Sequence, residues 1–407
     1  MKKFFLRALG VFILLVSVRA ATSSIAPLIN NLLVELDFTN EKAAIIAGII
    51  LAVGYIASII GSTVGGRIAD MFGSVKTFLT AGFVFAGIFI VWSFTTQAIL
   101  FYVYRALLAL CTGALYVALQ SYLLGGTKKG SEGMAMGVYG LGFGIGTAAA
   151  GSVAGMAGGF GISQAFFVLG IVCVVACVVC AVITILDKKV EATYEVALST
   201  KKPEGMSVWT ILKNANSTMY FLLLIAFAYG FGTIIFLQYL DELGAVRGIE
   251  GTKAAFGIAA FSIVQLLQPL SGMLADKIGR PKCILLGMTL VFIGWTSIAL
   301  FASSLGMVLL FSALAGIGAL LYTPASFALA QQSSVKGSGG LMRGLFQGAT
   351  AIGTAIAAMF GAIIYGNFGI TNVFYILVGA TVFSLISAIV LSFVAKKNKL
   401  QEETAKG

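Results

Sequence analysis

Twelve apolar runs recur from one end of this chain to the other, and no other feature so narrows what it can fold into. They lie near 4–30, 43–65, 75–95, 98–123, 133–157, 163–186, 215–239, 253–273, 283–303, 306–331, 341–366 and 370–395. A run of about 20 residues crosses a hydrocarbon core roughly 30 Å thick. Inside a bilayer the backbone must satisfy its own hydrogen bonds, so runs this rich in Gly and Ala are expected to be helices. Composition agrees: 59% of residues are hydrophobic and 10% charged, against about 25% charged in soluble domains. The expected class is an all-α integral membrane protein with twelve transmembrane helices.

The formal charge of +11 would suit a nucleic-acid partner, but its placement excludes one. Lys2, Lys3, Arg67, Lys76, Lys128, Lys129, Lys188, Lys189, Lys201, Lys202, Lys213, Lys277, Arg280, Lys282, Lys336, Lys396, Lys397 and Lys399 fall at the termini or in the even-numbered connections, and only Lys42, Arg247 and Lys253 in the others. By the positive-inside rule both termini are cytoplasmic, in a cell inner membrane, and the remaining positive charge suits anionic lipid. Residues 1–21 imitate a secretory signal, with Lys2 and Lys3, an apolar stretch, then Ala20 and Ala21. Cleavage there would remove the first span and break the repeat described next, so the segment is read as a retained helix. Cys173, Cys177 and Cys180 share one face of the sixth run, but the chain has no His and no nearby carboxylate to complete a metal shell. They read as small packing residues, and no metal or cofactor is expected.

The chain repeats itself. GRIADMFGSVK at 66–76 answers GMLADKIGRPK at 272–282, an offset of 206; IGTA at 145–148 recurs at 352–355, and FGISQAFFVLG at 160–170 answers FGITNVFYILVG at 368–379. Matches in the same order at nearly one offset mark an internal duplication. The expected domains are a six-helix bundle over 1–187, a cytoplasmic connector at 188–214, a second six-helix bundle over 215–396 and a tail at 397–407, the bundles related by pseudo-two-fold symmetry. The connector holds Glu191, Glu195, Pro203 and Glu204, with Asp187 at its edge.

The repeated loop resembles the signature of the major facilitator superfamily: Gly, three residues, Asp, a basic residue, one residue, Gly, then basic residues. The second copy follows it at Gly272, Asp276, Lys277, Gly279, Arg280 and Lys282. The first keeps Gly66, Asp70, Gly73 and Lys76 but has Met71, Ser74 and Val75 where basic residues are usual. Gly permits a tight turn and close helix approach, and Asp can cap a helix N-terminus. The resemblance implies secondary active transport by alternating access, with these loops latching the cytoplasmic side in the outward-open state and the first latch weaker. RAATSSIAPL at 19–28 is similar to the helix-1 stretch of cyanate-permease-type members. YRALLALCTG at 104–113 is similar to the family's helix-4 motif, with Ala109 where Gly is usual. GLGFGIGTAAAG at 140–151 approaches the signature of proton-driven drug exporters, but Thr147 replaces its Pro and Ala150 a Gly.

Ionisable residues inside a bilayer are costly and point to function. The sequence places no Asp or Glu in a span core, with Glu35, Asp37, Asp241 and Glu242 at outer ends, and it buries two cations, Arg19 and Arg105. Arg19 lies about fifteen residues into the first run, roughly 22 Å along a helix. An arginine without an acidic partner needs an anion, and a substrate is the natural one; backbone carbonyls at helix ends are the structural alternative. Thr112, Tyr116 and Gln120 follow Arg105 along one stripe, and Ser23 follows Arg19 by four. Tyr229, Gln265, Gln268, Tyr322, Thr323 and Gln347 are buried-polar candidates of the second half, although such residues also bond helix to helix. Pro27, Pro269 and Pro324 are expected to interrupt helices 1, 8 and 10.

The leading expectation is a monomeric transporter of a small organic or inorganic anion, coupled to protons or to exchange. Proton-coupled multidrug efflux is the alternative, and it lacks the membrane-embedded carboxylate that cationic drug exporters use. A transporter-like sensor is a third. No His, nucleophile constellation or phosphate loop supports an enzyme.

Overall fold

The computed structural model describes residues 2–38, 40–128, 130–192, 216–249, 253–254, 256–333 and 339–404. Most of the connector, with Glu195, Lys201, Lys202, Pro203, Glu204 and Lys213, lies outside the described residues, as do Lys129 and Lys336. Those described are almost entirely helical: α1 (Lys2–Glu35), α2 (Asn40–Phe72), α3 (Ser74–Ser93), α4 (Ala98–Gly125), α5 (Glu132–Phe160), α6 (Ile162–Ala192), α7 (Ser217–Val246), α8a (Phe256–Val264), α8b (Gln268–Ile278), α9 (Arg280–Phe301), α10 (Leu305–Gln332), α11 (Gly339–Phe368) and α12 (Ile370–Thr404). A 3₁₀ turn, Gln265–Leu267, joins α8a to α8b. Among the described residues twelve segments are long and apolar enough to cross a membrane, α8a and α8b counting as one. The protein is an all-α, multi-pass membrane protein. Large apolar side chains face outward along these helices, Ile56, Ile60 and Val64 forming one such row on α2, where lipid tails are the suitable solvent.

The repeat is visible in the backbone. Gly73 and Gly279 end α2 and α8b at φ 91 and 99, and Gly161 and Gly369 separate α5 from α6 and α11 from α12 at φ 88 and 81. Each is a left-handed position where a Cβ is costly, and each pair sits at the repeat offset. Helix pairing repeats as well. In the first half α2 packs on α4, α3 on α4 and α6, and α1 on α6; in the second, α8a on α10, α9 on α10 and α12, and α7 on α12. Small residues permit the closest of these approaches: a Cβ on Gly61 of α2 would meet the backbone of Leu110 at 2.6 Å.

By contact the chain divides into two compact units. The first comprises Met1–Lys128, Leu141–Val208 and Lys336–Gly344; the second comprises Lys129–Gly140, Trp209–Val335 and Leu345–Gly407. The first turns of α5 and α11 are thus counted away from the rest of their own helices.

One expectation needs correction. Of the three prolines, only Pro269 coincides with a break; α1 runs through Pro27 and α10 through Pro324 without one. The carbonyl of Leu320, which Pro324 cannot serve, accepts instead from the Ser271 hydroxyl of α8b at 2.6 Å. A neighbouring helix re-satisfies the freed group, so the kink is not forced. At the end of the sixth span, outside its core, Asp187 of α6 is 2% exposed. Arg7 of α1 donates to its Oδ2 at 2.7 Å, the Tyr122 hydroxyl of α4 donates to the same oxygen at 3.1 Å, and the Arg7 guanidinium lies over the Tyr122 ring. This buried ion pair clamps three helices of the first unit.

Candidate functional site

Within the first unit, α1, α2, α4 and α5 bring two arginines together. Arg19 is half-buried. Its Nε donates to the Thr147 hydroxyl at 2.8 Å and its guanidinium lies 4.0 Å from the centre of the Phe143 ring. Thr147 and Phe143 are one turn apart on α5, so a single helix face grips Arg19 from the side and from beneath. Among the described residues nothing accepts from its two terminal nitrogens. Gly146 makes the fit possible: a Cβ there would strike the Cβ of Arg19 and the Val16 carbonyl, each at 2.7 Å.

Arg105 is 7% exposed. Its guanidinium lies against the backbone of α2 at Gly54, where a Cβ would fall 2.6 Å from a terminal nitrogen. Its Nε has no acceptor among the described residues. Arg19, Tyr55 and Tyr116 are all within electrostatic reach of it. The Tyr116 ring packs edge-on against Phe143 at 5.6 Å, and so joins the two arginine neighbourhoods.

Four of the other sequence candidates in this unit divide by how their polar atoms are used. The hydroxyls of Ser23 and Tyr116 and both amide atoms of fully buried Gln120 have no partner among the described residues. Thr112 spends its hydroxyl on the Ala109 carbonyl of its own helix, an ordinary intrahelical bond. Leaving buried polar groups unmade costs about 1–3 kcal/mol each, so a cluster of them marks a place built to meet something else.

In the second unit Tyr229 stacks on Trp295, with ring centroids 6.0 Å apart, and packs against Tyr322 at 4.7 Å. The Tyr322 hydroxyl and Gln268 Oε1 are buried without a partner among the described residues. Gln268 donates to Gln265 Oε1 at 3.2 Å. Thr323 bonds its own helix at Ala319, and Gln347 is half-buried on α11. Among the described residues this unit holds no counterpart of the arginine pair. The repeated Gly-Thr step shows why: Gly146 and Thr147 seat Arg19, whereas Thr354 donates to the Gly230 carbonyl and Gly353 meets the Phe227 carbonyl, closing α11 on α7.

The signature loops form two helix caps. Asp276 accepts from the backbone N–H groups of Gly133 and Met134, at 2.9 and 3.0 Å, in the first turn of α5. Asp70 accepts from those of Gly340 and Leu341, at 2.7 and 2.8 Å, in the first turn of α11. Gly272 and Gly66 let these turns touch backbone to backbone, the first at Gly133 and the second at Gly340. Arg280, 5% exposed, bridges Asp276 and Glu132 and donates to the Ala328 carbonyl. The first loop has Ser74 at the corresponding place, and there the positive charge near Asp70 comes from Arg343 of α11, which bonds Ser121. Lys76 and Lys277 are exposed.

The sequence profile of the Major Facilitator Superfamily matches residues 11–267 and 254–407. The chain belongs to this superfamily. Its fold agrees with solved members: the proton:xylose symporter XylE, at TM-score 0.74 and 14% identity over 95% of both chains, and the human organic anion transporter MFSD10, at TM-score 0.73 and 14% identity over 95% of this chain and 99% of that one. Among curated proteins it is similar to the fosmidomycin resistance protein of Escherichia coli (strain K12), 32% identical over 142 residues, covering 35% of this chain and 34% of the relative. Multidrug resistance protein 2 of Bacillus subtilis (strain 168) is 25% identical over 259 residues, covering 60% and 63%. The chain therefore matches about a third of the first relative's length and under two thirds of the second's. This superfamily consists of transporters rather than enzymes.

Sequence reasoning picked out Arg19 and Arg105 but not what seats them. Gly54 carries no visible signal. Phe143 and Thr147 do: Thr147 stands where the exporter signature has Pro, one turn from an aromatic residue. Arg7, Asp187, Arg343 and Glu132 were missed because each lies near a helix end and reads as loop charge.

Proposed function

We propose that this transporter carries a small anion, bound in the first unit by Arg19. The observation that supports this most is the state of its guanidinium. It is fixed through Nε and one face and leaves both terminal nitrogens unengaged among the described residues, and the charge that acts on neighbouring Arg105 is this second arginine. Such a fork matches two oxygens of an anion. Arg105, Ser23, Tyr116 and Gln120 contribute from around it in the same unit. Transport proceeds by alternating access of a monomer in a cell inner membrane, with both termini cytoplasmic and the two helix-capping loops biasing the conformational equilibrium, coupled to protons or to exchange.

A thermal-shift screen of the purified protein tests the anion reading, because a ligand that binds only the folded state raises stability by mass action. Stabilisation by small anions that is lost in Arg19→Gln supports it. Stabilisation by lipophilic cations that persists in Arg19→Gln refutes it. Proton-coupled drug efflux is the second reading, favoured by the resistance proteins among the relatives, and that second outcome would establish it.

A further inference from the structure

We infer that the preferred substrate carries two negative charges, one set against each arginine; this rests on the anion reading above and narrows it. The charge count around the pair leads there. The Phe143 ring beneath Arg19 packs on Tyr116 of α4, the helix that carries Arg105, and the two like charges act on one another. The acids on the helices that hold them lie at the helix ends: Glu35 on α1, Glu41 and Asp70 on α2, Glu132 on α5, and none on α4. Glu35 is sixteen residues from Arg19, and Asp70 sixteen from Gly54, where Arg105 rests; each separation is roughly 24 Å of helix. Asp70 is moreover engaged with the first turn of α11, and Glu132 with Arg280. A monoanion in this setting would leave one buried positive charge without a counter-charge, which a low-dielectric site penalises. A dianion leaves none.

The seating of the two side chains supports a bridging ligand. Arg19 is turned by Thr147 and Phe143 so that its outer edge is unengaged, while Arg105 is held against Gly54 with its Nε unpartnered at 7% exposure. The Ser23 and Tyr116 hydroxyls, also unpartnered among the described residues, add two neutral donors. A ligand with several oxygens sharing two negative charges can use such donors together. Phosphate-type, sulfate-type and dicarboxylate ligands all have that chemistry.

Matched pairs of anions separate charge from shape: sulfate against methyl sulfate, methyl phosphate against dimethyl phosphate, and succinate against succinamate, each titrated into the purified full-length protein near neutral pH. In at least one pair the dianion should bind at least about tenfold more tightly, as expected for one added charge near a partly buried cation. Arg105→Gln should bring the preference in that pair close to unity while monoanion binding persists, and Arg105→Lys, which keeps the charge, should retain it. Equal or tighter binding of the monoanion in all three pairs overturns the inference while leaving the anion reading standing. Binding of none of the six overturns both. Should Arg105→Gln fail to fold, the preference of the parent and its retention in Arg105→Lys decide the matter.

Discussion

Replacing Asp276 by Asn removes the charge that holds the first turn of α5. The carboxylate accepts from the Gly133 and Met134 amides at 2.9 and 3.0 Å and pairs with Arg280 at 3.0 Å. Asn retains one acceptor and turns an NH₂ group toward the other amide. A hydrogen bond to a charged group contributes about 1.5–3 kcal/mol, and a negative charge at a helix N-terminus about 0.3–1 kcal/mol. Arg280 keeps Glu132 as a partner, which limits the collateral loss. The expected net cost is about 2–4 kcal/mol, or on the order of 30- to several-hundred-fold in the opening equilibrium of that turn, at about 1.4 kcal/mol per tenfold. Deuterium uptake by peptides covering the start of α5 should accelerate by that factor, with uptake at the start of α11 unchanged. Asp70→Asn should do the reverse. In an alternating-access transporter the same perturbation shifts the balance of the two states, toward inward-open if the family's latch operates here. Unchanged exchange at Gly133 and Met134 in Asp276→Asn would refute the capping account.

Gly54→Ala should cost ligand affinity with little loss of expression, because its Cβ would collide with the Arg105 guanidinium, and overpacking of this kind costs about 1–3 kcal/mol; an unchanged Kd for the anion would contradict it. Thr147→Val removes the acceptor for Arg19 Nε at nearly constant shape and should weaken anion binding by about three- to tenfold, one neutral hydrogen bond's worth; Thr354→Val, which loses a helix-packing bond, should affect thermal stability and leave affinity alone. Asp187→Asn breaks a buried pair with Arg7 and should destabilise by about 3–5 kcal/mol, read as a lower melting temperature in detergent; a melting temperature equal to the parent's would show that the clamp contributes nothing.

Hydrophobic length and the repeat made the helices legible, since a bilayer leaves the backbone few alternatives. The signature loops were legible as motifs, but their partners were not. That Asp70 meets Gly340 and Leu341, or that Arg343 supplies the charge missing from the first loop, depends on contacts 270 residues apart in sequence. Asp187 read as connector charge because α6 extends to Ala192, beyond the apolar run that sequence defines. Pro324 read as a hinge because its remedy, the Ser271 hydroxyl, lies on another helix. Arg19 and Arg105 stood out through their cost in an apolar run. Their seats did not, because a glycine opposite an arginine looks like any other glycine until the helices are packed.

Counterflow in proteoliposomes, using the anion that most stabilises the purified protein, tests most directly the claim that Arg19 binds the transported anion. Arg19→Lys keeps the charge and loses the planar fork, so its apparent affinity should fall by about tenfold or more. Arg19→Gln should remain folded and monodisperse, with counterflow nearly abolished. Counterflow by Arg19→Gln at the parent's rate and affinity would contradict the account.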